Sequence, residues 1–278
     1  MTNLSAPIAV VTGATRGAGK GIALALGTAG MTVYVTGRSQ ADGDSEYGGT
    51  VAETAWLIDE AGGHGIAVPV DHADDAQVAE LFARVEKDHG RLDLLVNNAA
   101  KVLASSANFW ERPLETVDLI TVGLRSHYVA SYYAAPLLIA NGRGLIVNTG
   151  HYGAVSYHVG PAYGAQKAGA DKMAADMAKE LRPHNVAAVS IWMGGLDTER
   201  VRTLLPAAAL AGRETPRFTG RVIAALYASS GLLEYSGRAM IGAELGAELG
   251  VTDLDGRTPP SARHTLGAPP DLHPTLKP

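Results

Sequence analysis

The chain has 278 residues, 46% of them hydrophobic, and a formal charge of −5. That composition suits one globular domain with a tail and excludes a disordered chain; the acidic balance, with no dense Lys/Arg run, gives no support for nucleic acid or an anionic membrane surface as partner. Cysteine is absent, which excludes disulfides, thiolate catalysis and Cys-ligated metals.

Met1–Pro7 has neither a basic region nor a signal-like apolar stretch, so a cytoplasmic protein is expected. Short apolar runs then alternate with longer amphipathic segments, the pattern of repeated βαβ units. Ile8–Thr12 reads as a first strand, Gly17–Ala29 as helix and Thr32–Thr36 as a second strand. Val51–Ala61 is helical, Ile66–Val70 is a third strand ending at Asp71, and Ala76–His89 is helical with Val78, Leu81, Phe82 and Val85 on one face. A fourth strand, Leu94–Asn97, precedes a long helix over Leu114–Ala140. A fifth strand at Leu145–Asn148, a long helix at Ala162–Leu181 and a sixth strand at Val186–Trp192 follow. Thr219–Ser229 is helical, and Ala239–Ile241 is a seventh strand. The pattern predicts a single doubly wound, Rossmann-type α/β domain over residues 1–256. Six of the 14 prolines lie between Pro259 and Pro278. Residues 257–278 therefore read as a loop-like or disordered tail, or as an arm for a neighbouring subunit. No stretch of about 18 apolar residues is present, and the nine histidines lack ligand-like spacing, so no metal site is expected.

Between the first strand and its helix stands Thr12-Gly13-Ala14-Thr15-Arg16-Gly17-Ala18-Gly19. Gly13 permits a tight turn, while Gly17 and Gly19 let the backbone approach a pyrophosphate and the sheet. The helix start offers free N–H groups and a positive dipole end to the phosphates. At the end of the second strand an NAD-selective fold places an acid on the ribose 2′-hydroxyl. Here Arg38 occupies that region, and the first acid is Asp42. Arg38, helped by Arg16, suits a 2′-phosphate through its planar fork of donors. NADP(H) is expected over NAD(H). The plainer alternative is a glycine turn that holds nothing and two solvated arginines.

Tyr163 and Lys167 sit four apart near the start of a long helix, so they share a face. A free tyrosine ionises near pH 10; a neighbouring ammonium and a cationic nicotinamide both favour the tyrosinate. Such a tyrosine donates a proton to a carbonyl oxygen, or takes one from an alcohol.

Taken together, the Thr12–Gly19 turn, Asp71 after the third strand, Asn97-Asn98-Ala99 and the Tyr163/Lys167 pair resemble the short-chain dehydrogenase/reductase family over roughly residues 7–256. The resemblance implies a parallel seven-stranded sheet of order 3-2-1-4-5-6-7, Asp71 near the adenine and Asn98-Ala99 along the adenosine. It implies the acid/base role for Tyr163, Lys167 on the nicotinamide ribose, and Thr198 near the nicotinamide amide and phosphates. It also implies a homodimer or homotetramer paired through the two long helices. Val122–Tyr128, Asp171–Asp176 and Asp253–Arg257 resemble more narrowly the dehydrogenase/reductase member 1 type, a carbonyl reductase branch associated with NADPH and bulky carbonyl substrates.

Two expected side chains are missing. The family serine falls thirteen residues before Tyr163, at Gly150, and the family asparagine 27 residues before that, at Gly123. The asparagine acts partly through its main-chain carbonyl, which leads through a water to the lysine; Gly123 keeps a carbonyl. A glycine inside a helix costs about 1 kcal/mol relative to alanine, which predicts a kink or close packing there. Loss of one oxyanion-type donor costs about 10²–10³ in turnover, and His151, Tyr152 or Ser156 is available to replace it. The leading expectation is an oxidoreductase moving hydride between a nicotinamide and a carbonyl/alcohol pair. The second is a cofactor-binding protein without catalysis, a sensor or assembly partner, motivated by Gly123 and Gly150. Lys101–Pro113 and Leu196–Pro216 are expected to flank the pocket, and their Phe109, Trp110, Leu204 and Leu205 favour a partly apolar substrate.

Overall fold

The computed structural model describes residues 6–101 and 107–276; residues 102–106 of the expected pocket segment lie outside the described residues. Seven parallel strands form one sheet in the order β3-β2-β1-β4-β5-β6-β7. They are β1 Ile8–Val11, β2 Thr32–Gly37, β3 His64–Pro69, β4 Leu94–Asn97, β5 Gly144–Gly150, β6 Val186–Trp192 and β7 Ala239–Ile241. The central strands are buried along their whole length, because helices cover both faces of a parallel sheet.

One core joins the sheet to α1 (Gly17–Thr28), α2 (Val51–Glu60), α8 (Pro216–Ala228) and α9 (Gly242–Glu248) through residues such as Ile22, Ile58, Phe218 and Leu245. The other joins it to α3 (Asp75–His89), α5 (Ser126–Ala140) and α6 (Pro161–Leu181) through Phe82, Leu138 and Leu181. Asp74 caps α3 by accepting from the Ala76 and Gln77 amides, and left-handed Gly90 ends it. The strand ends of β1, β4, β5 and β6 therefore open on one edge, where ligands of such sheets bind.

The segment expected as one helix over Leu114–Ala140 is interrupted. A 3-10 turn at Leu114–Val117 leads into α4 (Asp118–Ile120), a π-helical turn at Thr121–Arg125, and then α5. Gly123 lies in the π turn and is buried there. Two helices fell below the reach of periodicity, the short α7 (Glu199–Leu204) and α9. The Pro-rich stretch lies against its own chain. Its α10 (Arg263–Leu266) is held by Arg263 and Ser261 on Glu244, and Lys179 Nζ donates to the Thr275 carbonyl at 3.3 Å.

Candidate active site

The glycine turn after β1 has the conformation that its residues require. Gly13 (φ +66°) and Gly17 (φ +56°) are left-handed, a region costly for any side chain. A Cβ on Gly13 would lie 2.8 Å from Ala99 Cα, and one on Gly19 would lie 2.2 Å from the Gly13 oxygen. The turn thus packs directly on the end of β4. Thr12 clamps that contact, its Oγ1 accepting from the Asn98 and Ala99 amides at 2.8 and 2.9 Å. Asn98 Nδ2 donates back to the Thr12 and Gly13 carbonyls at 2.9 and 3.1 Å, so its amide braces the turn. Thr15 is buried beneath the turn, with Ala18 half-buried on the first turn of α1. Thr198 caps α7, accepting from the Val201 amide at 3.3 Å, and its methyl faces Gly17.

The start of α1 is anion-seeking. The Gly17 amide donates to the Glu199 carboxylate at 2.9 Å, in the place where a pyrophosphate would meet a helix N-terminus. These residues fit a dinucleotide. Arg16 and Arg38 lie close enough that Arg38, after burial and against the pull of Glu199, lowers the Arg16 pKa. Arg38 is exposed, whereas Arg16 reaches across the loop after β2: Nε donates to the Gly48 carbonyl at 2.7 Å and Nη2 to Ser39 Oγ at 2.5 Å. Asp71 follows β3; its Oδ1 accepts from the Ala73 amide at 3.0 Å and its own amide donates to Gln77 at 2.8 Å.

Tyr163 and Lys167 stand on the first turns of α6, which Gly160 (φ +133°) and Pro161 start abruptly. Lys167 is buried, and its Nζ donates to the Thr149 carbonyl at 2.9 Å while lying 5.6 Å from the Tyr163 ring centroid. Burial pulls the ammonium down to about 8, against the opposing charge of Asp171. Burial also pushes the Tyr163 phenol above its ordinary range. In the protein alone, desolvation therefore outweighs the nearby ammonium and keeps the phenol protonated at neutral pH.

Of the three side chains expected from the sequence as alternatives to a serine at position 150, two are engaged elsewhere. Tyr152 is buried against Trp192, with its hydroxyl accepting from the Ala262 amide at 3.0 Å. Ser156 Oγ donates to the Tyr152 carbonyl at 3.0 Å. The His151 ring packs edge-on against Tyr163, with centroids 5.7 Å apart. Its Nδ1 accepts from the Gly153 amide at 3.0 Å, so the neutral ring carries its proton on Nε2. Burial, helped by His158 and Lys167, holds its pKa down at about 3, and the ring is neutral at physiological pH.

A family model described as short chain dehydrogenase matches residues 7–208. The chain belongs to the short-chain dehydrogenase/reductase family. It is 37% identical over 270 residues to dehydrogenase/reductase SDR family member 1 of Mus musculus, covering 90% of this chain and 84% of that one. The Homo sapiens protein of the same name is 36% identical over 274 residues, 91% and 85% of the two chains. A 3-oxoacyl-[acyl-carrier-protein] reductase of Synechocystis is 31% identical over 210 residues, 73% of this chain and 80% of that one. A solved structure from Xanthomonas campestris superposes at a TM-score of 0.80 with 25% identity, covering 92% and 94% of the two chains. This short-chain dehydrogenase/reductase is thus placed in a family of nicotinamide-dependent oxidoreductases close to the member 1 type.

Within that family frame, the glycines at the two departures have a steric cause. Gly150 pairs in register with Trp192 across β5 and β6. A Cβ on Gly150 would lie 2.3 Å from Trp192 Cδ1 and 2.6 Å from Ser190 Oγ. Both neighbours are fixed by Asp171, whose carboxylate accepts from Ser190 Oγ at 2.5 Å and from Trp192 Nε1 at 2.9 Å. Burial pushes the Asp171 carboxyl up to about 6 despite these donors. At Gly123 a Cβ would lie 2.1 Å from Gln166 Nε2, which donates to the Gly123 carbonyl at 3.2 Å. The carbonyl that the family resemblance assigned to a water leading to the lysine accepts from Gln166 here. Trp192, Asp171, Gln166, Glu199 and His158 all escaped the sequence reading. The only local signals were the spacing of Asp171 four after Lys167 and the position of Glu199 directly after Thr198.

Proposed function

We propose that this protein is an NADP(H)-dependent oxidoreductase that interconverts a carbonyl and an alcohol. The observation that carries the reading is Tyr163, protonated and one turn from an anchored Lys167, beside a neutral His151 whose free proton is on Nε2. When bound, the nicotinamide supplies or accepts the hydride. Tyr163 gives its proton to the substrate oxygen in reduction and takes it back in oxidation. His151 Nε2–H donates to that same oxygen in place of the serine, and Lys167 bonds the nicotinamide ribose and favours the tyrosinate. The Gly13–Gly19 turn would hold the pyrophosphate, with Asn98-Ala99 and Asp71 on the adenosine side and Thr198 toward the nicotinamide. Arg38, beside Arg16, would receive the 2′-phosphate.

A partly apolar substrate is favoured by the exposed Phe109–Trp110 pair, edge-to-face with centroids 5.1 Å apart. Its loop is tied to the His158 segment by Arg112, which donates to the Val159 carbonyl at 2.6 Å. Exposed Leu204 adds to this. Tyr128 and Tyr132, both exposed on α5, support a homo-oligomer. Among the described residues no helix is long and apolar enough to cross a membrane, and no group of metal-ligating side chains occurs.

The test is binding of NADPH and NADH to the purified protein, then consumption of the reduced cofactor with a panel of ketones, aldehydes and diketones. Preference for NADPH with turnover, lost in Tyr163→Phe, is expected. Tight cofactor binding without turnover across the panel overturns the enzymatic reading and leaves a cofactor-binding protein without catalysis.

A further inference from the structure

A second histidine stands at the tyrosine. The His158 ring lies 4.5 Å from the His151 ring and 5.9 Å from the Tyr163 ring, centroid to centroid. It is exposed, and neither of its ring nitrogens hydrogen-bonds a described residue. Its loop is held in place from both sides. Ser156 bonds back to Tyr152, and Arg112 pins the Val159 carbonyl while its Nε holds the Ala107 carbonyl at 2.8 Å.

The three nitrogen-bearing groups around Tyr163 differ in what they can do with a proton. Lys167 is buried, and its ammonium donates to the Thr149 carbonyl. The Gly123 carbonyl behind it accepts from Gln166. His151 has Nδ1 committed to the Gly153 amide, so it keeps its Nε2 proton as a fixed donor and cannot pass a proton through its ring, which requires both nitrogens. His158 has both nitrogens available, lies with its ring centroid 5.9 Å from that of Tyr163 and is exposed to solvent.

We infer that His158 is the proton relay between Tyr163 and solvent. The inference rests on the acid role given to Tyr163 above. In reduction the carbonyl carbon gains hydride, the carbonyl oxygen gains the Tyr163 proton, and a tyrosinate remains. His158 takes a proton from bulk water on one nitrogen and releases the proton on its other nitrogen, through an intervening solvent water, to the tyrosinate oxygen. The phenol is restored, the imidazole is again neutral, and one proton has left the solvent for each alcohol formed. Oxidation runs the same steps backwards.

The relay acts after the first hydride transfer, because Tyr163 begins each cycle from its protonated form. The experiment is therefore a comparison of single-turnover and steady-state reduction by the full-length enzyme, its His158→Ala form and its His158→Gln form. The expected result is an unchanged single-turnover rate, a steady-state kcat lower by about 10²-fold, and restoration of kcat in His158→Ala by added imidazole. His158 is on the surface, so both variants are expected to melt with the parent protein. An equal slowing of the first turnover, a rise in KM alone, or no response to imidazole overturns the relay and makes His158 a substrate contact or a wall of the pocket. If the unaltered enzyme turns over no carbonyl at all, the oxidoreductase reading falls and the relay falls with it; if it turns over and His158→Ala keeps full kcat, only the relay falls.

Discussion

Restoring the family serine at position 150 is expected to damage this protein. The new Cβ would stand 2.3 Å from Trp192 Cδ1 and 2.6 Å from Ser190 Oγ, distances that no packed side chain tolerates. Trp192 is fully buried and shares the Asp171 carboxylate with Ser190, so it cannot swing away without breaking that network. Overpacking of a tight core costs about 1–3 kcal/mol. Weakening the charge-assisted bonds to Asp171 adds about 1.5–3 kcal/mol. Gly150→Ser is therefore expected to lose about 2.5–6 kcal/mol. At roughly 2–4 °C per kcal/mol for a chain near this size, the melting temperature falls by roughly 5–24 °C. Thermal unfolding of Gly150→Ser, Trp192→Ala and the double variant provides the measurement. Because Trp192→Ala opens the space that the serine needs, the double variant is expected to be more stable than the sum of the two losses by about 1–3 kcal/mol. A Gly150→Ser protein that melts with the parent, or a strictly additive double variant, refutes the steric account.

His151→Ala is expected to lower turnover by about 10²–10³ with NADPH affinity unchanged; loss of cofactor binding by fluorescence titration would instead make His151 part of the dinucleotide seat. Arg38→Ala should weaken NADPH about tenfold or more while leaving NADH affinity unchanged, and equal losses for the two cofactors would remove Arg38 from the 2′-phosphate. Burial has lowered Lys167 to about 8, so its ammonium is present below that pH and lost as pH rises through it; kcat should fall on the alkaline side of about 8. The Asp171 charge raises Lys167, so Asp171→Asn should move that alkaline limb to lower pH, and a limb that stays put or moves up contradicts the coupling. Gln166→Ala should make Gly123→Asn tolerable, since Gln166 Nε2 fills the space 2.1 Å from a Cβ at 123; melting of the single and double variants tests it.

What local sequence could specify, it specified. Buried apolar runs alternating with amphipathic segments led to seven strands within a residue or two of their observed limits, because burial on both faces of a parallel sheet demands such runs. The Gly13–Gly19 turn and the Tyr163/Lys167 pair were legible for the same reason: positive φ and one-turn spacing are properties of neighbouring residues. The break at Thr121–Arg125 was half legible, since Gly123 pointed to a kink or close packing. What closes against that glycine is Gln166, 43 positions away.

Tertiary structure alone decided what fills the space beside positions 123 and 150 and which side chain next to Tyr163 keeps a free donor. Trp192 reaches Gly150 through the β5–β6 register, Tyr152 is withdrawn by Ala262 from 110 positions away, and His151 is turned into a donor by the Gly153 amide. His158 meets Tyr163 only through the fold of the 151–160 loop. A sequence pattern records periodicity and local backbone demands. It does not record which distant side chain fills a given volume, because close packing is satisfied by many combinations of residues and only the folded arrangement selects one.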